Sequence, residues 1–156
     1  MPRKLPYQQG DWFGVPLRST GYAVGRITRV APGGKLLVGY FFGPRREQLP
    51  GDPDAEELQP EDAALICRFS DLAFLRKEWP LLGSRDPAAV QEWPLPLFAR
   101  QDAVSGDVRL VRYQDDDPRI ELEAIRTPGE RASDHAPDGA WGNGAVEEKL
   151  TSIFGA

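Results

Sequence analysis

The densest run of ionisable side chains is Asp115-Asp116-Asp117, followed by Pro118. Contiguous carboxylates could in principle hold a divalent cation. A calcium loop, however, spaces its oxygens at alternating positions around a glycine turn, and this run has neither feature. It reads as an acidic turn between two strands, or as an acidic tip that meets a partner. The single histidine, His135, lies in Ser133-Asp134-His135-Ala136-Pro137. A Ser–His–Asp relay would have to use this residue, yet no Gly-x-Ser-x-Gly elbow accompanies it, so a solvent-exposed loop histidine is expected. The single cysteine, Cys67, alternates with Leu65 and Phe69. That pattern makes it a small buried side chain on a strand, and no base stands out to activate it. One cysteine also excludes an intramolecular disulfide and a multi-cysteine zinc site. Neither a Gly-x-Gly-x-x-Gly nor a Walker sequence is present to cradle phosphate. The residues thus imply no catalytic set, no metal site and no cofactor, and they point away from an enzyme.

The charge is unevenly distributed. Met1 to Gly43 carries six basic residues and one acidic, Pro44 to Asp62 two basic and seven acidic, and Gln101 to Ala140 five basic and ten acidic, within a chain of net charge −5. General affinity for nucleic acid needs a basic footprint and is not expected. Solvated loops are the plain account of the two acidic stretches. The sharper account is an acidic face that meets a basic partner and steers its approach. Its candidate contact residues are Glu47, Asp52, Asp54, Glu56 and Glu57 in the first stretch, Asp115, Asp116 and Asp117 in the second, and Trp12. Tryptophan is enriched at binding hot spots, though it also fills cores. Among Trp12, Trp79, Trp93 and Trp141, Trp12 is the one expected to be exposed, because Phe13, Val15 and Leu17 take the opposite side of its strand.

The elements that must position these residues are short. The chain has 156 residues, 16 of them Gly and 15 Pro, and this punctuation favours strands joined by turns over a helical bundle. Asp11 to Leu17, Tyr22 to Val30 and Lys35 to Phe42 read as an antiparallel meander, with Gly25 as a bulge that resets the phase of the second strand. The third strand is apolar on both sides, so both faces are covered or one is offered to a partner. The proline-rich, acidic stretch from Gly43 to Asp62 is a long loop with one helical turn near Ala55 to Leu58, and loops of that length are often functional. Leu65 to Phe69, Leu72 to Leu75, Leu97 to Arg100, Val108 to Tyr113 and Ile120 to Ile125 are further strands. Asp86-Pro87 starts a short helix to Trp93, with Val90 and Trp93 facing the sheet together. Val146, Leu150, Ile153 and Phe154 form a helical stripe, capped by Asn143 or Gly144 and closed by Gly155, that packs across the sheet. The expected architecture is mainly β (α+β): an antiparallel, strongly twisted sheet or small barrel with a short middle helix and a C-terminal helix, as a single domain over residues 1–156. No apolar stretch follows Met1 to Pro6, and the longest nearly apolar run, Leu36 to Phe42, is far too short to span a bilayer. A soluble, cytoplasmic protein is expected.

Gly10-Asp11-Trp12-Phe13-Gly14-Val15-Pro16-Leu17, followed by Gly21-Tyr22-Ala23-Val24-Gly25-Arg26-Ile27, resembles the opening of the immunity protein 26 family. Gly39-Tyr40-Phe41-Phe42, Trp93-Pro94 and Gly144-Ala145-Val146-Glu147 are also similar. The acidic loop and the region around His135 have no counterpart in that pattern. The resemblance implies an antitoxin that protects the producing cell by binding a cognate polymorphic toxin and occluding it, and it supplies no catalytic residues; from the charge and the short apolar runs no nucleic-acid or membrane partner is expected, and no cofactor. An acidic surface suits a basic toxin active site such as that of a nuclease.

Two other functions fit the residues alone. One is a small β-barrel binding module that reads a peptide or small ligand through an aromatic groove around Trp12, Tyr22 and Tyr40, which requires a deep apolar pocket beneath them. The other is a hydrolase built on paired carboxylates, which requires two carboxyls about 5–9 Å apart in a cleft.

Overall fold

The computed structural model describes residues 4–83 and 86–155; Met1 to Arg3 of the N-terminal segment lie outside the described residues. Strands β1 (Trp12–Pro16), β2 (Tyr22–Val30) and β3 (Leu36–Arg46) form the expected meander, and β4 (Leu65–Ser70) continues it antiparallel to β3. After the single-turn helix α1 (Leu72–Leu75) come β5 (Phe98–Gln101), β6 (Val108–Gln114), β7 (Asp117–Arg126), β8 (Ala136–Pro137), β9 (Ala140–Trp141) and helix α2 (Asn143–Phe154). The strands make two open sheets: β1-β2-β3-β4-β9, and β7-β6-β5-β8. The mainly β, α+β class is therefore as expected, in its open-sheet form rather than as a barrel. No helix among the described residues is long and apolar enough to cross a membrane.

The first sheet is covered on both faces. Phe13, Val15 and Leu17 point together, as their alternation requires, into a core with Ile27, Leu37, Phe41, Cys67, Phe69, Phe74 and Trp79. Helix α2 closes this face with Val146 and Leu150. On the opposite face Trp12, Val24, Tyr40 and Phe42 meet Val90 and Trp93. Both sides of β3 are thus buried by the chain itself.

Several local expectations are corrected. The phase of β2 is reset between Ile27 and Arg29 and between Tyr22 and Val24, not at Gly25, which pairs in register with Phe41. Gly25 lacks a side chain for another reason: a Cβ there would lie 2.3 Å from Cζ of Phe13, whose ring reaches over it. Leu72 to Leu75 is a helical turn instead of a strand, because a four-residue apolar run has no period to distinguish the two. The carboxylate before it, Asp71, accepts from Tyr7 OH (2.6 Å) and Lys35 N–H (3.0 Å), anchoring the turn to the core. Strand β3 runs on to Arg46, past the expected start of the loop, because Arg46 pairs with Tyr22. The middle helix is a 3-10 turn, Pro87–Val90, with Asp86 accepting from Ala88 N–H (2.9 Å). Helix α2 is capped by Gly142, without a side-chain cap, and closes at Gly155 as expected. It is pinned from outside by Glu147, which accepts from Trp79 Nε1 (2.8 Å) and Arg18 Nε (3.1 Å).

Arg68 joins the two sheets. Its guanidinium lies 3.8 Å over the Tyr113 ring and donates to Tyr113 OH (2.8 Å) and Pro118 C=O (3.1 Å). Asp138 sits 3.6 Å away and accepts from Tyr113 OH and from Arg100 Nε (2.8 Å). Burial pushes the Asp138 carboxyl upward, but the hydrogen bonds from Tyr113 and Arg100 and the charges of Arg100 and Arg68 outweigh it and hold the group below the ordinary carboxylate range. A carboxyl with a depressed folded-state pKa stabilises the fold above its unfolded value, about 4, and loses that contribution as pH falls through the folded one. Asp138→Asn is therefore expected to flatten the loss of stability below about pH 4. Denaturation midpoints measured from neutral to acidic pH check this; equal acid slopes for both proteins would refute it.

Candidate functional site

The acidic loop is built around a 3-10 turn at Pro53–Glu56, slightly earlier than expected because Asp52 caps it and Pro53 starts it. The turn lays Asp54 over β1, where its Oδ1 accepts from Trp12 Nε1 (2.7 Å). Arg26, from β2, is stacked between Trp12 (4.6 Å) and Trp93 (5.1 Å), donates to Gly10 C=O (3.1 Å) and pairs with Asp54 (3.9 Å). Trp12 is only 1% exposed, which overturns its expected exposure. The face opposite Phe13 is not outside, because the acidic loop and the Pro87–Val90 turn cover it.

This cover leaves a trough along its seam. One end, about 540 Å³, is walled by Trp12, Arg26, Asp54, Glu57 and Gln59. A middle hollow of about 420 Å³ shares Gln59, Ala89 and Trp93 with it and adds Glu61 and Glu92. The far end, about 380 Å³, shares Gln91 and carries Arg29, Asp115 and Asp116. Six carboxylates thus line this row of three hollows, against two buried arginines that already pair within it. Arg29 donates to Asp115 Oδ1 (3.0 and 3.2 Å) and to the carbonyls of Thr28 and Trp93 (both 2.8 Å).

Of the residues singled out from sequence, Asp54, Glu57, Asp115 and Asp116 meet here, over a floor that includes Trp12. Glu47, Asp52 and Glu56 do not line the trough: Asp52 caps its own turn, and Glu56 forms a two-pronged pair with Arg46 (2.6 Å on one prong). Asp117 is buried, not at an acidic tip, and is held by Arg119 (2.9 Å on each oxygen), which keeps its carboxyl below the usual range. Glu61 and Glu92 complete the lining. Glu92 carried no signal in the sequence, since its importance lies in standing across from a loop thirty residues away.

The other candidates resolve differently. Cys67 is fully buried on β4, as its alternation with Leu65 and Phe69 requires, and burial pushes its thiol far up. His135 is half-buried instead of solvent-exposed and pairs with Glu130 (2.8 Å), while Asp134 pairs with Arg131 (3.3 Å). Ser133, Asp134 and His135 line one groove but do not form a relay. Tyr40 fills the core, where burial pushes its hydroxyl up to about 12, and it donates to Pro94 C=O. With Trp12 and Tyr40 both in packed core, the deep apolar pocket required of an aromatic ligand groove is not formed beneath them. Among the described residues no group of three His, Cys, Asp or Glu side chains is placed to hold a metal ion.

The family model described as immunity protein 26 matches residues 8–109, which span β1 to β5 and the start of β6 and include every trough carboxylate except Asp115 and Asp116. No curated protein and no solved structure matches the chain.

Proposed function

Since the chain belongs to the immunity protein 26 family, we propose that it is a single-domain cytoplasmic antitoxin that neutralises a cognate polymorphic toxin by covering the toxin's working surface. The observation that supports the surface is the acid-lined trough running from Asp54 and Glu57 through Glu61 and Glu92 to Asp115 and Asp116. Its floor is fixed by stacked tryptophans and buried arginines, so little side-chain entropy is lost when a partner docks. Its charge suits a basic partner surface, such as the active face of a nuclease, and would accelerate encounter at low salt. Occlusion breaks no bond and requires no cofactor.

The test is co-purification with the product of the adjacent toxin gene, together with protection of cells that express it. The triple variant Glu57→Lys, Glu92→Lys, Asp116→Lys changes only surface side chains. It is expected to fold as the parent does and to associate about 10–1,000-fold more slowly at low salt. A wild-type chain that neither binds nor protects, or a triple variant that binds unchanged, would refute the proposal.

A further inference from the structure

The three hollows of the trough differ in how much of their charge the chain already neutralises. In the first, Asp54 pairs with Arg26 (3.9 Å), and in the far one Asp115 pairs with Arg29 (3.0 Å). The middle hollow, about 420 Å³, has Glu61 and Glu92 in its lining and no cation. Neither carboxylate makes an ion pair or a hydrogen bond among the described residues. Each stands on a short turn closed by the backbone, with Asp62 N–H donating to Gln59 C=O (2.9 Å) on one wall and Trp93 N–H to Val90 C=O (3.0 Å) on the other. Like charges on one hollow repel, and a cation between them relieves this.

A second observation, independent of charge, lies in the same wall. Trp93 is 8% exposed, met edge-on by Trp12 (6.4 Å) and tilted against Tyr40 (5.3 Å). The indole N–H groups of Trp12 and Trp79 donate to Asp54 and Glu147. That of Trp93 has no partner among the described residues, nor is it one of the unpartnered polar atoms sealed from solvent, which are Arg46 Nε, Arg68 Nε and Ser70 Oγ. It therefore reaches the surface, and the surface that Trp93 borders is that of the first and middle hollows. A partner that covers this donor must bring it an acceptor, or a buried N–H is left unsatisfied.

We propose that the middle hollow seats one lysine or arginine side chain of the cognate toxin, its cation between Glu61 and Glu92, with a main-chain carbonyl of the same segment accepting from Trp93 Nε1–H. The inference rests on the antitoxin reading above and names the anchor within it. A metal ion or a polyamine would answer the two carboxylates but brings no acceptor for the indole; a polypeptide brings both. The ends of the trough then guide the approach, and the middle hollow holds the complex once it has formed.

Two double variants that remove equal charge test this. Glu61→Gln with Glu92→Gln takes both charges from the middle hollow, and Glu57→Gln with Asp116→Asn takes two from the ends. All four positions are exposed, so both proteins are expected to melt as the parent does. Against the adjacent gene's toxin, both are expected to associate more slowly at low salt and to a similar degree. Only the first is expected to dissociate faster, by about tenfold or more and at high salt as well, while the second changes that rate less than about twofold. NMR of the indole N–H groups gives a further readout. Exchange with water at Trp93 is expected to slow about tenfold or more in the complex, and exchange at Trp79, on the opposite face of the sheet, to stay as it was. Equal dissociation rates for the two double variants, or a complex with Trp93 exchange unaltered, overturns the anchor and leaves the trough reading standing. Failure of the wild-type chain to form any complex overturns both.

Discussion

Alanine in place of Phe13 is expected to lower the free energy of unfolding by about 3–5 kcal/mol, a large share of the stability of a chain this size. The ring is completely buried, stacked on Trp79 (5.7 Å, 5° between planes) and met edge-on by Phe74 (5.0 Å) and Phe41 (5.6 Å). Deleting it removes its transfer energy and leaves a cavity that three rigid aromatic neighbours cannot close. Denaturant unfolding followed by tryptophan fluorescence measures the loss, and a loss below about 1 kcal/mol would show that the core collapses into the space. A second variant tests the mechanism. Gly25→Ala destabilises the parent because its Cβ meets the Phe13 ring at 2.3 Å, and it is expected to cost far less beside Phe13→Ala. Equal costs in the two backgrounds would place the strain elsewhere.

Arg68→Ala is expected to cost about 3 kcal/mol or more and to loosen the second sheet before the first. The substitution removes the cation stacked on Tyr113 and the donors to Tyr113 OH and Pro118 C=O, and it leaves Asp138 leaning on Arg100 alone for charge. The core of that sheet is small, built on Phe98, Val111 and Tyr113, and apart from Arg68 its charged tie to the larger sheet is the Arg29–Asp115 pair. Amide exchange should therefore accelerate across β5 to β7 at denaturant concentrations where β1 to β4 stay protected. Simultaneous opening of both sheets, or an unchanged midpoint, would show that Arg68 is not the joint.

Period was legible in the sequence. The alternation Phe13-Val15-Leu17 and the spacing Val146-Leu150 are local properties of an extended chain and of a helix, so strand, helix and inward face could be read directly. The family opening was legible for the same reason, since its glycines, prolines and aromatics lie close together in the chain. Where the local signal was degenerate, as in the four apolar residues of α1, the assignment failed.

What no local pattern contains is the identity of the segment covering each face. Alternation places Trp12 opposite Phe13, but whether that side meets water depends on the acidic loop about forty residues later and on the turn at Pro87–Val90. In the same way a carboxylate's charge is known from its type, while its availability depends on which cation the fold brings to it. Asp117 is occupied by Arg119 next to it, Asp115 meets Arg29 across 86 positions, and Glu92 joins the trough only because the loop carrying Glu61 folds against it. Sequence alone therefore determined the periodic elements, their inward faces and the family resemblance. Tertiary structure alone decided which acids face outward together, because burial and ion pairing are settled between residues distant in the chain.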